Sequence, residues 1–182
     1  MGKTAREILI RKAEEKDVPA IYDIGCLCFS DAWRRETVHH DLMENEHSFY
    51  LVAEEDGFIT GYGCFWFIAG EGQLVNIGVH PESRLQGIGR MLLQKGIEEA
   101  RTRDMQTMFL EVRVSNLSAQ QMYETFGFKN LGLRKKVYEL PVEDSGNREG
   151  AAPSAISRTP MFGNLFHTIN IKIRSQHENT SL

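Results

Sequence analysis

Asn76-Ile77-Gly78-Val79-His80-Pro81-Glu82-Ser83-Arg84-Leu85-Gln86-Gly87-Ile88-Gly89-Arg90 reads as an apolar strand, a turn and a glycine-bearing start to a long amphipathic helix that continues to Arg103. The first turn of a helix presents backbone N–H groups with no intrahelical acceptor, and Gly87 and Gly89 carry no Cβ to hold a ligand away from them. The helix dipole adds partial positive charge there, and Arg84 and Arg90 bracket the same turn. An anion is expected at this point, and a pyrophosphate suits it better than a lone carboxylate.

Working outward, Met108 to Val112 is a second apolar strand. A strand, a helix and a strand within about 35 residues predict a right-handed parallel crossover, with the helix start at the carboxyl ends of the strands. Upstream, Ile8 and Ile10 predict a first strand. Asp17 is expected to cap a helix from about Pro19 to Phe29, and a short helix is expected over Glu36 to Glu44. Phe49 to Ala53 and Ile59 to Ile68 are rich in aromatic and β-branched residues and predict strands joined by the turn Glu55-Asp56-Gly57. Gly70-Glu71-Gly72 turns into a strand over Leu74 to Val79. The long helix places Ile88, Met91, Leu92, Ile97 and Ala100 near one face. Ser118 to Phe126 predicts a short helix, with Ser118 and Gln121 at capping-box spacing and Gly127 at its C-terminal end.

The 182 residues, 41% hydrophobic, fit one domain with a substantial core. A net charge of −4 argues against direct nucleic-acid binding and suits a basic peptide partner. Cys26, Cys28 and Cys64 are an odd number without metal-ligand spacing, which predicts a reduced, cytoplasmic protein. The histidines, His39-His40 among them, show no metal spacing either, so no metal is expected. The N-terminus has no apolar signal core, no stretch approaches the roughly 20 apolar residues of a membrane span, and Met1-Gly2 lacks the myristoylation pattern. No membrane association is expected.

Neither Gly-x-x-x-x-Gly-Lys-Ser/Thr nor Gly-x-Gly-x-x-Gly is present, so the nucleoside triphosphate loop and the dinucleotide fingerprint do not apply. In their place stands Arg84-x-x-Gly87-x-Gly89, which resembles the acetyl-CoA motif of the GNAT N-acetyltransferase superfamily. Leu110-Glu111-Val112-Arg113, Ser115-Asn116, Met122-Tyr123-Glu124 and Phe126-Gly127-Phe128 extend the likeness to its RimI-type subgroup, the ribosomal-protein alanine N-acetyltransferases. The match runs from about Ile8 to Asp144 and is dense between Asn76 and Tyr138. It implies an α/β (α+β) fold in a single GNAT-like domain, with a mixed central sheet, a splayed parallel strand pair and flanking helices. The pantetheine arm of acetyl-CoA would lie between the two parallel strands, against the backbone of Ile77, Gly78 and Val79. Arg84, Leu85, Gln86, Gly87, Ile88, Gly89 and Arg90 would wrap the pyrophosphate. The resemblance further implies the N-terminal alanine of the eighteenth small-subunit ribosomal protein as acceptor.

Acyl transfer to an amine needs the nitrogen unprotonated, and a strand-end carboxylate beside the thioester can take the proton, an effect worth roughly 10²–10⁴-fold. Glu111, in an otherwise apolar strand, has the right chemistry; the plainer alternative is an outward glutamate paired with Arg113 or a lysine. Tyr123 matches the family's general acid for the departing thiolate, against the alternative of ordinary aromatic packing. Asn116 matches a cofactor-binding amide, and Asn beside a helix start is also a common cap. Trp33, in Asp31-Ala32-Trp33, stands where peptide substrates enter in the subgroup, although Ala32 departs from its usual proline, and Trp33 could equally plug the helix pair. Tyr138 aligns with one member of a substrate-binding tyrosine pair. An α-amine, with a pKa of about 7.7–8.0 against about 10.4 for lysine, suits a modest base better.

Residues 1–144 are expected to form the acetyltransferase domain. Ser145 to Pro160 is small, polar and without periodicity, and reads as a loop. Alternation at Ile169, Ile171 and Ile173 then predicts a strand over Thr168 to Arg174, so segment 145–182 is a loop and tail that could supply a last strand to the sheet. The rival readings are a GNAT enzyme acting on lysines or a small amine, and an acyl-CoA-binding module without catalysis. The oligomeric state is not legible in the chain.

Overall fold

The computed structural model describes residues 7–135 and 165–172. Its elements run β1 (Ile8–Lys12), α1 (Val18–Cys28), α2 (Arg35–Glu44), β2 (Ser48–Glu55), β3 (Phe58–Ile68), β4 (Glu71–Val79), α3 (Ile88–Thr102), β5 (Thr107–Arg113), α4 (Leu117–Thr125), β6 (Lys129–Lys135) and β7 (Leu165–Lys172). All seven strands join one sheet in the order β1-β2-β3-β4-β5-β7-β6. Among the described residues only the β4–β5 pair is parallel, as a crossover through α3 requires. β6 was not foreseen from the sequence. β7 pairs with both β5 and β6; residues 173 and 174 of its predicted span lie outside the described residues, as does the predicted loop Ser145 to Pro160.

The near-continuous apolar runs of β2 and β3 follow from burial on both faces. Phe49, Leu51 and Ala53 of β2 join a core with α3 and α4, whereas the alternating Tyr50 and Val52 join a second core with α1 and α2. α3 buries Ile88, Leu92, Leu93, Gly96, Ile97 and Ala100. Gly96 is there because of Phe65: a Cβ on it would lie 2.2 Å from two carbons of that fully buried ring. Asp56 and Gly57 both have positive φ (52° and 83°), the two-residue turn whose twist matches a hairpin. Ala69 and Gly70 repeat it, so the next turn comes earlier than Gly70-Glu71-Gly72 and β4 begins at Glu71.

Neither predicted cap makes its side-chain bond to the helix. Asp17 precedes α1, but its side chain turns back to Arg11, accepting at 2.7 and 2.9 Å, and to the Glu14 backbone N–H at 2.8 Å. α4 begins at Leu117 and is capped by Asn116, whose Oδ1 accepts from Ala119 N at 3.1 Å, so the capping pair Ser118/Gln121 is not used. Gly127, at φ 88°, closes α4 in the left-handed conformation, with its N–H on Glu124 O at 2.8 Å.

The β4–β5 ladder is short. It runs from Glu71 opposite Thr107 to Leu74 opposite Leu110 and stops, although β4 continues to Val79 and β5 to Arg113. The cause is on the other edge of β4, where Asn76 pairs with Cys64 and Leu74 with Phe65, leaving Val75 as an extra residue. Such a bulge bends the strand that carries it, and the end of β4 turns away from β5.

Candidate active site

The divergence of β4 and β5 opens a cavity of about 990 Å³ that reaches both faces of the sheet. Glu111 is the first β5 residue beyond the last β4–β5 rung, so it stands at the vertex of the opening. Met108, Leu110 and Val112 point into the α3 core, which sends the alternating Phe109 and Glu111 to the α1 face. Glu111 is half-buried, with Oε2 out of contact with solvent. Arg113 is turned toward the loop after α1, with Nη2 donating to Ser30 Oγ at 3.3 Å and lying 3.6 Å from Asp31 Oδ1.

Ile77, Gly78 and Val79 line the cavity along the free edge of β4, as do Arg84, Leu85, Gly87, Ile88, Gly89 and Arg90 at its mouth; the exposed Gln86 does not. Gly87 is the N-cap of α3, at φ 81° and ψ 5°, and nothing lies within 4 Å of where its Cβ would be. Glycine is needed there for backbone conformation and not for room. Leu85 has positive φ (62°) and is fully exposed, so a non-glycine residue is held in the left-handed region in the same loop. The loop thereby aims the first-turn N–H groups of α3 outward, and their dipole end and lack of intrahelical acceptors fit a phosphate. The two arginines are tethered. Arg84 Nε donates to Val79 O at 3.2 Å, and Arg90 Nη2 donates to Thr125 Oγ1 at 2.8 Å with its guanidinium 5.1 Å from the Phe126 ring.

Tyr123 comes from α4 on the side opposite Glu111. It lines the cavity yet is buried, in edge contact with Phe128 at 5.9 Å, and burial pushes its phenol above the ordinary value. It therefore keeps its proton through the physiological range and is placed to act as a proton donor and not as a base. Asn116 lines the cavity too; the cap occupies Oδ1 and leaves the Nδ2 donors for a cofactor amide.

Beyond Glu111 the cavity is walled by aromatic rings. Trp33 lines it while packing on the α1–α2 core, with its ring 6.2 Å from that of Trp66. Tyr50 and Tyr62 line it as well, and sequence reasoning missed both because strand tyrosines carry no local mark of facing a cavity. Cys28 was also missed as a lining residue: its Sγ donates to Val79 O at 3.3 Å and accepts from Arg84 Nη2 at 3.6 Å, tying α1 to the end of β4. Tyr138 lies outside the described residues. Among the described residues no three His, Cys, Asp or Glu side chains converge as metal ligands, and no helix is long and apolar enough to cross a membrane.

Comparison with known proteins matches residues 18–128 to the acetyltransferase (GNAT) family. The [ribosomal protein bS18]-alanine N-acetyltransferase of Escherichia coli (strain K12) is 33% identical over 71% of this chain and 86% of its own length. The protein of the same name from Haemophilus influenzae is 32% identical over 81% of this chain and 97% of its own. The crystal structure of the ribosomal-protein-S18-alanine N-acetyltransferase from Escherichia coli superposes with a TM-score of 0.74 at 25% identity, covering 97% of this chain and 100% of that one. A Salmonella typhimurium protein solved with its cofactor acetyl-CoA shares the fold, with a TM-score of 0.68 at 19% identity and 96% of each chain covered.

Proposed function

The chain belongs to the acetyltransferase (GNAT) family, and from that premise we propose that it transfers acetyl from acetyl-CoA to the α-amine of a protein N-terminus, the N-terminal alanine of ribosomal protein bS18. Relatives that carry this name cover most of both chains, which supports the acceptor. The thioester supplies an activated acetyl group. The observation that carries the mechanism is the position of Glu111 at the vertex where β4 and β5 part, on the wall of the cavity that opens there.

In this reading the free backbone edge of Ile77 to Val79 takes the pantetheine arm, and the first turn of α3 with Gly87 takes the pyrophosphate. Asn116 Nδ2 donates to the arm. Glu111 removes the ammonium proton, directly or through one water, so that the nitrogen lone pair can form the N–C bond. As the C–S bond breaks, the Tyr123 hydroxyl donates to the sulfur from the opposite side. Trp33 receives the peptide, and Tyr138, outside the described residues, is proposed as a second substrate-binding residue. The catalytic domain takes in β7 together with residues 1–144, because β7 lies between β5 and β6 in its sheet. The acidic balance of the chain suits a basic ribosomal partner in the cytoplasm.

The test is mass-resolved acetyl transfer from acetyl-CoA to two basic peptides in one tube, one with a free N-terminal alanine and one blocked at the N-terminus but rich in lysine. One acetyl on the free alanine alone, lost in Glu111→Gln, is the expected result. Acetylation of the blocked peptide would make this a lysine acetyltransferase. Tight acetyl-CoA binding without transfer to either peptide would refute the protein-acceptor reading and leave a small-amine enzyme or a binding module.

A further inference from the structure

α2 buries a carboxyl group between helix and sheet. Asp41 lies three residues after Val38, on the same inward stripe, and is buried with it. Its Oδ2 accepts from Tyr50 Oη at 2.8 Å, from Trp66 Nε1 at 3.2 Å and from Cys64 Sγ at 3.6 Å. Oδ1 accepts from Asn45 Nδ2 at 2.7 Å, and Ser48 Oγ donates to the Asp41 carbonyl oxygen. A buried carboxyl group is tolerated only when donors match its oxygens, and an apolar residue would join α2 to the sheet with less demand on geometry. What the carboxyl group adds is direction. One oxygen holds a phenol and an indole from two neighbouring strands, and both lead to the cavity.

Tyr50 lines the cavity itself. Trp66 lies against Trp33 with ring centroids 6.2 Å apart and planes tilted by 35°, and Trp33 lines the cavity on the side beyond Glu111. Asp41 thus touches neither the cavity nor any reacting atom, yet it fixes two rings of the wall. We propose that Asp41 is a positioning residue for the acceptor half of the site, holding Tyr50 directly and Trp33 through Trp66 in the arrangement that receives an unblocked peptide N-terminus. This rests on the acceptor reading above. Rings with fixed faces suit that ligand, a small apolar side chain beside a cationic amine, because apolar contact and attraction of the cation to a ring face act together.

The chain has two tryptophans, both in this array, so their emission reports on it alone. The experiment compares wild type, Asp41→Asn and Trp66→Phe in steady-state transfer to the free N-terminal alanine peptide. Acetyl-CoA titration and tryptophan emission with and without peptide accompany it. In Asp41→Asn, the peptide KM is expected to rise about tenfold with kcat and the acetyl-CoA Kd within about twofold, the signature of lost acceptor binding. The emission change on adding peptide should shrink with it. In Trp66→Phe, which keeps a ring but loses the N–H, a KM rise of about threefold is expected. A lowered melting temperature with an unchanged peptide KM in the folded enzyme would reduce Asp41 to a structural residue and overturn the proposal. Should Asp41→Asn not fold, the Trp66→Phe KM decides in the same way. No transfer by the wild type would refute the acceptor reading and this proposal with it, whereas an active wild type with unmoved variants would refute this proposal alone.

Discussion

Gly87 gives the most direct test of how the anion cradle works. Its φ of 81° lies in the left-handed region, and no atom stands within 4 Å of a Cβ placed on it, so the cost of a side chain is conformational. Left-handed backbone costs an ordinary L-residue roughly 1–2 kcal/mol, and a β-branched residue is at the upper end or beyond; Asn visits the region readily and is also a good N-cap. If the loop must hold this conformation to aim the first-turn N–H groups, acetyl-CoA must repay the strain on binding to Gly87→Val. At about 1.4 kcal/mol per factor of ten, the Kd should rise roughly 5–30-fold. Gly87→Asn, with the same added Cβ and little strain, should change the Kd by less than about threefold. Calorimetric titration with acetyl-CoA reads both. If Asn and Val weaken binding equally, the Cβ itself collides with the ligand and the conformational argument is wrong. If neither does, the cradle does not depend on this residue.

Tyr123→Phe keeps the ring and its edge contact with Phe128, so thermal stability and acetyl-CoA affinity should hold while kcat falls by about 10²-fold, the usual scale of a lost proton donor. Gly96→Ala sets a Cβ 2.2 Å from the buried Phe65 ring and should destabilise by about 3 kcal/mol in denaturant unfolding, with most of the loss recovered when Phe65→Leu is added. An unaltered Gly96→Ala would show that α3 and β3 are not in the contact described. Arg11, hydrogen-bonded to Asp17, holds that carboxyl below its ordinary value. Its contribution to stability is therefore complete above the unfolded-chain value of about 3.9 and is lost as pH falls through the lower native value. Asp17→Asn should lower stability at neutral pH and flatten that acid limb in pH-dependent unfolding.

Local chemistry made much of this protein legible. Strand alternation, the turn residues Asp56-Gly57, the left-handed Gly127 and the strand-turn-helix around Gly87 all act within a few residues, and each could be read without knowing what lay opposite. The residues Arg84-x-x-Gly87-x-Gly89, Glu111, Asn116 and Tyr123 were named for one site, and they line one cavity. The caps were harder, because several polar residues near a helix start compete and the winner depends on a distant partner. Asp17 is taken by Arg11 across the start of the fold, while Asn116 displaces Ser118 two residues earlier. Asp41 did carry a signal, three residues after Val38 and immediately before Leu42 on the inward stripe of α2, but period alone says only that it faces in.

By itself, then, the sequence determined the elements other than β6, the parallel crossover and the chemical inventory of the site, since these follow from backbone propensity, apolar period and side-chain type over short spans. The tertiary structure alone decided that Val75 bulges and ends the β4–β5 ladder at Leu110, which puts Glu111 at the vertex. It also decided that β7 runs between β5 and β6, and that Asp41, Tyr50 and Trp66 meet. Each of these is set by strand register and by packing between segments far apart in the chain, where a shift of one residue turns a side chain to the other face of the sheet.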